Sequence, residues 1–238
     1  MIALDALVPG PDALVASRRP PVSAVLFDLD GTLVDSAPDL AGAANELRLA
    51  RGLDALPFER LRPMVGAGAR GMVGAAFGLQ PSDAGFAELR DEFLSRYAAR
   101  LLDETRLFPA VAELLAQLDS ARLPWGVVTN KATRFTLPLV DGLGLASRAA
   151  AVVCGDTTPH AKPHPAPLLE AARRLGVAAD TCVYIGDDLR DILAGQAAGM
   201  ATLAAGWGYL GESEPIEAWG ADQVLQTPPQ VLKWLQLA

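Results

Sequence analysis

An apolar segment that ends abruptly in two acidic residues is the feature that most constrains the fold of this chain. Residues 22–27 are mainly apolar and include β-branched and aromatic side chains. The run is too short for a helix, so we predict a strand buried on both faces. Asp28 and Asp30 follow it, and Gly31 permits a sharp turn. Because ligands bind beyond the carboxyl ends of strands in open α/β sheets, both acids should face a crevice. The alternative is a turn whose carboxylates bond only to nearby backbone.

The alternation of strands and helices after residue 109 indicates the fold class. This texture is typical of an α/β fold with a doubly wound parallel sheet. The predicted strands are 22–27, 125–129, 151–154, 182–186, 201–204 and 222–225. The predicted helices are 110–121, 133–141, 165–175 and 189–198.

Residues 36–107 show helical patterns and no convincing strand, which predicts an inserted α-helical cap domain. The catalytic core then comprises residues 21–35 and 108–238. Residues 1–20 carry several prolines and no strong periodicity, and they are predicted to form an N-terminal extension. Residues 66–71 match the dinucleotide pattern GxGxxG. They lack the strand that should precede it, so we interpret them as a loop between helices.

Polar side chains follow four of the predicted strands, and parallel strands bring their carboxyl ends to one edge of a sheet. These residues are Asp28 and Asp30, Thr129, Asn130 and Lys131, Lys162, and Asp187 and Asp188. Mg²⁺ prefers hard oxygen ligands such as carboxylates and substrate phosphate. Asp28 and Asp187 are therefore the predicted metal ligands.

The same inventory suits phosphoryl transfer, which needs an in-line nucleophile and cationic or hydrogen-bonding groups around the phosphoryl oxygens. Asp28 is the predicted nucleophile, because a carboxylate can form an aspartyl-phosphate. Asp30 is the predicted general acid to the leaving alcohol and then general base to the water. The predicted phosphate-binding residues are Thr129, Asn130, Lys131 and Lys162.

Four motifs in order resemble those of haloacid dehalogenase (HAD) superfamily phosphatases with a helical cap. They are 28–32 (Asp-Leu-Asp-Gly-Thr), Thr129-Asn130, Lys162, and 186–191 (Gly-Asp-Asp-Leu-Arg-Asp). The resemblance covers residues 22–226 and implies a HAD-like Rossmannoid core. It implies Asp28 as nucleophile and metal ligand, with the Asp30 backbone carbonyl and Asp187 completing a Mg²⁺ site. Thr129 and Lys162 would hold the phosphate. Asp191 would support Lys162 or a metal-bound water, and Asp188 is a further candidate for a supporting role.

Within that superfamily, residues 33–40 and 65–68 resemble the phosphoglycolate phosphatase group. Residues 205–210 and 219–222 also resemble relatives that dephosphorylate N-acetylmuramic acid 6-phosphate. The expected activity is therefore Mg²⁺-dependent hydrolysis of a small phosphate monoester, with 2-phosphoglycolate first and a sugar phosphate as the alternative. A phosphomutase and a phospho-receiver protein remain as other classes, separated from this one by the products formed.

Several residues carry two interpretations. Arg70 either reaches the substrate from the cap or is a solvated arginine. Lys131 either extends the phosphate site or is exposed at a helix start. His164 is expected to have no catalytic role, since Asp30 is already the predicted general acid and base. Trp207 and Tyr209 either border the mouth of the site or pack.

Composition restricts the partners. A net charge of −8 argues against broad contact with nucleic acid phosphates. No segment has the length and hydropathy of a membrane span, and no secretory signal is evident. The two cysteines form no CxxC pair, which fits a reducing cytoplasm. We expect a small phosphorylated metabolite as partner, and a monomer or homodimer.

Overall fold

A six-stranded parallel sheet forms the centre of the computed structural model, which describes residues 21–211 and 214–237. The strand order is β5-β4-β1-β6-β7-β8, so the first strand lies in the middle. The strands are β1 (Ala24–Phe27), β2 (Val34–Asp35), β3 (Arg106–Leu107), β4 (Trp125–Val128), β5 (Ala151–Val153), β6 (Cys182–Gly186), β7 (Ala201–Ala205) and β8 (Gln223–Leu225). The predicted extension 1–20 lies outside the described residues.

Helices cover both faces of the sheet. The described residues form α1 (Ala37–Leu49), α2 (Phe58–Leu61), α3 (Gly68–Phe77), α4 (Phe86–Ala99), α5 (Val111–Ser120), α6 (Thr133–Gly142), α7 (Ala166–Leu175), α8 (Leu189–Ala197) and α9 (Pro229–Trp234). Val25 and Phe27 of β1 pack in one apolar cluster with α5, whereas Ala24 and Leu26 pack in another with α7. Successive side chains of a strand point to opposite faces, so β1 is buried on both sides, as predicted. The doubly wound α/β fold is confirmed.

The insertion begins and ends in a small antiparallel pair that the sequence did not predict. Val34 pairs with Leu107 and Asp35 with Arg106, and α1 to α4 occupy the chain between β2 and β3. Two-residue strands are too short to produce a detectable periodicity. The inserted helical cap is confirmed as an architecture, while its boundaries at 36 and 107 stay a prediction.

One segment of the cap differs from its predicted form. Residues 66–71 were expected to be a loop between helices, but Arg62–Ala67 form a 3₁₀ helix that continues into α3. Gly68 makes the change of direction with a φ of 62°. Glycine adopts this left-handed region without steric cost, which explains a glycine where two helical segments meet.

A buried carboxylate ties the two ends of the cap together. Asp39 of α1 is fully buried and accepts hydrogen bonds from the Thr105 amide at 2.8 Å and hydroxyl at 2.7 Å. The Glu104 amide also donates to it, and the Arg100 guanidinium lies 3.4 Å away. Buried charges need such partners, so this contact fixes how the returning chain enters the core.

No helix among the described residues is long and apolar enough to cross a membrane.

Candidate active site

Asp28 lies directly after β1, at the carboxyl edge of the sheet. Its amide donates to the Ile185 carbonyl at 2.8 Å, which continues the pairing of β1 with β6. Its carboxylate lies 2.9 Å from the Lys162 ammonium, and 13% of its side chain is exposed. Burial raises the pKa of Asp28 to about 7, although Lys162 opposes the shift. A carboxylate so destabilised by burial is suited to cation binding or to covalent chemistry.

Lys162 is buried between two acids. Its ammonium lies 2.6 Å from Asp191 and donates to the Val128 carbonyl at 3.0 Å and the Tyr184 hydroxyl at 2.8 Å. Burial lowers the pKa of Lys162, but Asp191 and Asp28 outweigh it and leave the pKa above its usual value. The lysine is therefore a fixed positive charge at the floor of the site.

Asp187 is enclosed by groups that leave room only for its carboxylate. It accepts hydrogen bonds from the Thr32 hydroxyl at 3.0 Å and the Tyr209 amide at 2.8 Å. A Cβ added to Gly31 or Gly208 would overlap its side chain. Burial raises the pKa of Asp187 well above its ordinary value, with Asp28 and Asp191 acting in the same direction. This carboxylate has no cationic partner among the described residues.

Asp28, Asp187 and Asp191 each offer a carboxylate oxygen within 4.8 Å of the others. Asp191 is already held by Lys162, and it accepts the Asp188 amide at 3.1 Å. The two remaining buried acids repel each other unless a cation lies between them. Their hard oxygen donors fit Mg²⁺.

Asp188 begins α8 as part of a capping box. Its carboxylate accepts the Arg190 amide at 2.9 Å and pairs with the Arg190 guanidinium at 2.7 Å. Burial would raise the pKa of Asp188, but Arg190 outweighs it and lowers the pKa. Arg190 also donates to the Gly66 carbonyl of the cap, so this predicted supporting residue lies at a contact between core and cap.

Asp30 lines the same cavity and is paired with a lysine. Both its carboxylate oxygens lie 3.0 Å from the Lys131 ammonium, and the Ser36 hydroxyl donates to one of them at 2.5 Å. The Lys131 ammonium lies 4.7 Å from the Tyr97 ring centroid, and its side chain is 9% exposed. Lys131 is thus a buried partner of Asp30, which neither interpretation of it anticipated.

Thr129 and Asn130 follow β4 and line the same cavity. The Thr129 hydroxyl accepts the Lys131 amide at 3.1 Å. The Asn130 side chain accepts the Lys162 amide at 2.9 Å and donates to the Lys162 carbonyl at 3.0 Å. Asn130 therefore holds the backbone of the loop that carries Lys162.

A cavity of about 460 Å³ lies between these groups and residues of the cap. Nine of the predicted residues line it, namely Asp28, Asp30, Thr129, Asn130, Lys131, Lys162, Asp187, Asp188 and Asp191. Arg70 does not; it is exposed on α3, so this structure does not bring it into the site. His164 is absent from the lining as well.

Tyr209, for which the sequence left two interpretations, is buried. Its hydroxyl accepts the amides of Ser36 at 2.8 Å and Ala37 at 3.1 Å, which favours packing over a place at the mouth. The Tyr184 hydroxyl accepts a hydrogen bond from Lys162, but nothing in the sequence distinguishes Tyr184 from other residues of its strand. Only the approach of distant segments reveals such roles.

Comparisons with known proteins identify the family of this chain. The family model for haloacid dehalogenase-like hydrolases matches residues 25–205. A phosphoglycolate phosphatase of Xanthomonas campestris pv. campestris is 48% identical over 209 residues, covering 87% of this chain and 94% of the relative. An N-acetylmuramic acid 6-phosphate phosphatase of Pseudomonas aeruginosa is 42% identical over 221 residues, covering 93% and 98%. The crystal structure of a predicted phosphoglycolate phosphatase from Haemophilus somnus aligns with a TM-score of 0.80 at 28% identity, covering 90% and 98%. The chain belongs to the haloacid dehalogenase-like hydrolase family.

Proposed function

We propose that this chain is a Mg²⁺-dependent phosphatase that hydrolyses a small phosphate monoester through a phosphorylated Asp28. One observation carries the proposal: Asp28 lies at the floor of a cavity, 2.9 Å from the Lys162 ammonium and beside the buried carboxylate of Asp187. A nucleophile, a fixed cation and a metal ligand are the groups that phosphoryl transfer needs. Relatives named as phosphatases support the same activity.

Asp28, Asp187 and the Asp30 backbone carbonyl are the proposed Mg²⁺ ligands. Asp187 is buried without a cationic partner among the described residues, and burial raises the pKa of both Asp187 and Asp28. Both observations support a cation at this position. When bound, the ion neutralises charge on the phosphoryl oxygens and between the carboxylates. Lys162 and the Thr129 hydroxyl would bind the remaining oxygens, and Asn130 would hold the Lys162 loop.

The reaction proceeds in two displacements at phosphorus. An Asp28 oxygen forms a bond to phosphorus while the ester P–O bond breaks, and Asp30 gives its proton to the leaving alcohol. Water then attacks the aspartyl-phosphate, Asp30 takes a proton from it, and Asp28 is released with inorganic phosphate. Lys131 and Ser36 keep the Asp30 carboxylate oriented for both proton transfers.

The cap excludes bulk water during these steps, which protects the intermediate from unselective reaction. It also argues against a receiver protein, whose signalling does not need a cavity lined by an inserted cap. Asp30 argues against a dehalogenase, which displaces halide without protonating a leaving group. The cytoplasmic location and a monomeric or homodimeric state remain predictions.

The first proposed substrate is 2-phosphoglycolate, supported by the 48% identical relative named for it. N-acetylmuramic acid 6-phosphate is the second. Its support is the 42% identical relative and a cavity of about 460 Å³, which falls within the range of roughly 300–1,000 Å³ typical of ligand sites.

The test is phosphate release by the purified full chain with Mg²⁺, on a panel containing both substrates. We expect turnover of at least one, lost by about 10³-fold or more in Asp28→Asn. Asp54→Asn, an exposed cap residue, is the matched control and should retain activity. No release from any ester, or full activity in Asp28→Asn, would contradict the proposal.

A further inference from the structure

Four basic side chains line the cavity, and three of them are already neutralised. Lys162 is paired with Asp28 and Asp191, Lys131 with Asp30, and Arg190 with Asp188. The fourth is Arg134, in the first turn of α6. No carboxylate of the described chain lies within salt-bridge distance of Arg134. Its guanidinium carbon instead lies 4.6 Å from the Phe135 ring centroid.

The acids near Arg134 are engaged elsewhere. Asp156 accepts hydrogen bonds from the amide and hydroxyl of Thr133, although the charge of Arg134 still helps to lower its pKa. Asp91 of the cap helix α4 shares a groove with Arg134, but it pairs with Arg90 at 2.7 Å. Arg134 is exposed at the mouth of the cavity with its donors available.

Among the described residues, the cap side of the cavity carries no charged side chain. It is lined by apolar groups, including Val65, Phe93 and Leu94, and by two glycines, Gly66 and Gly68. Asp28, Asp187 and Lys162 line the part of the cavity where the phosphate is proposed to bind. Arg134 is therefore the cation of the described lining that is left to compensate a second anion on the leaving group.

We propose that Arg134 binds a carboxylate on the leaving group of the substrate. The inference rests on the proposed phosphatase function and narrows its substrate class to phosphate monoesters that also carry a carboxylate. Both 2-phosphoglycolate and N-acetylmuramic acid 6-phosphate have this chemistry. The planar guanidinium suits bidentate binding of a carboxylate, which a lysine cannot reproduce. An overall charge of −8 makes such a local cation necessary for a dianionic or trianionic substrate.

The test compares pairs of esters in which one member lacks the group that carries the carboxylate. 2-Phosphoglycolate is paired with 2-hydroxyethyl phosphate, and N-acetylmuramic acid 6-phosphate with N-acetylglucosamine 6-phosphate. Steady-state kinetics are measured for the wild type, Arg134→Gln, Arg134→Lys and Arg60→Gln. Arg60 is an exposed arginine of α2 outside the cavity lining, so its variant controls for the loss of one positive charge.

The wild type should prefer the carboxylate member of the pair it uses. Arg134→Gln should lower kcat/KM for that ester by about 10- to 100-fold, mainly through KM. For the ester without the carboxylate, kcat/KM should change by less than about twofold. For the carboxylate ester, kcat/KM of Arg134→Lys should fall between those of the wild type and Arg134→Gln. Arg60→Gln should have the kcat/KM of the wild type. This selective loss separates substrate binding from a general effect on folding.

Two results would overturn the inference while leaving the phosphatase function intact. One is an equal loss on both members of a pair, which would indicate that Arg134 acts on cap closure, for instance through Asp91. The other is an unchanged preference for the carboxylate ester in Arg134→Gln. Absence of turnover on every ester by the wild type would instead overturn the proposed function, and this inference with it.

Discussion

The Lys131 ammonium lies 3.0 Å from both carboxylate oxygens of Asp30, although the two residues are 101 positions apart in the sequence. The cap covers this ion pair with the Tyr97 ring of α4. Tyr97 is 1% exposed. Lys131 of the core therefore holds the proposed general acid, Asp30, and also contacts the cap through Tyr97.

Lys131→Gln tests this positioning role. Loss of the ion pair should let Asp30 leave its orientation, so kcat/KM for an alkyl phosphate, which reports the steps up to phosphorylation of Asp28, should fall about 10- to 100-fold. The kcat/KM for p-nitrophenyl phosphate should fall less than about threefold, because p-nitrophenolate departs without a proton. Lys233→Gln, on the exposed face of α9, is the control. Equal losses on the two esters would show that Lys131 does not act through Asp30.

Gly208→Ala tests the enclosure of Asp187. The added Cβ would overlap the Asp187 side chain and displace its carboxylate from the proposed metal site. We expect the Mg²⁺ concentration for half-maximal activity to rise about tenfold or more. Gly74→Ala in α3, where the new methyl group meets only ordinary contact, should leave it unchanged. An unaltered Mg²⁺ titration in Gly208→Ala would exclude Asp187 as a ligand.

The metal-free protein should lose stability as pH rises. Burial raises the pKa of Asp28 from 3.8 to about 7. The folded chain therefore keeps a proton that the unfolded chain releases, and the free energy of unfolding falls between about pH 4 and pH 7. This contribution is complete below pH 4 and lost above pH 7. Asp187 acts in the same direction.

Asp28→Asn stays neutral and should remove part of that pH dependence. In EDTA at pH 8, its Tm should exceed that of the wild type by about 2–8 °C, and the two should converge near pH 4. Mg²⁺ should raise the wild-type Tm at pH 8 more than that of the variant. Thermal unfolding at both pH values measures this, and parallel pH profiles would contradict it.

Asp39→Ala should destabilise the junction between cap and core. It would leave the Glu104 and Thr105 amides without an acceptor and Arg100 without its buried partner, at a cost of about 2–4 kcal/mol. Thr105→Val removes only one donor and should cost about 1 kcal/mol. Urea unfolding measures both values. A cost below that of Thr105→Val would contradict the anchoring role.

The sequence predicted those parts of the molecule that depend on local pattern. β1 is a short apolar run, and Asp28, Lys162 and Asp187 sit where parallel strands end, so their convergence follows from the fold class. The strands β2 and β3 were missed because two residues carry no periodicity. The helical form of residues 66–71 was missed because glycine disfavours helices only weakly, and the packing of the cap overrides that preference.

The remaining contacts depend on tertiary packing. Lys131 could not be assigned to Asp30 from its position at a helix start, since the pairing joins the ends of β1 and β4. Likewise, Tyr209 contacts Ser36 across 173 residues. Arg134 belongs to none of the sequence motifs. It stands out only because the other three basic residues that line the cavity are paired with carboxylates. Such roles appear when neighbours are known in space.

Hydrolysis through a phosphorylated Asp28 requires two in-line displacements at phosphorus. The stereochemical course at phosphorus is measured with a phosphorothioate ester that is made chiral with two oxygen isotopes and hydrolysed in water that carries the third. Each in-line displacement inverts the configuration, so two of them restore it. We expect chiral inorganic thiophosphate with net retention of configuration. Net inversion would mean that water attacks the ester directly, and it would contradict Asp28 as the nucleophile.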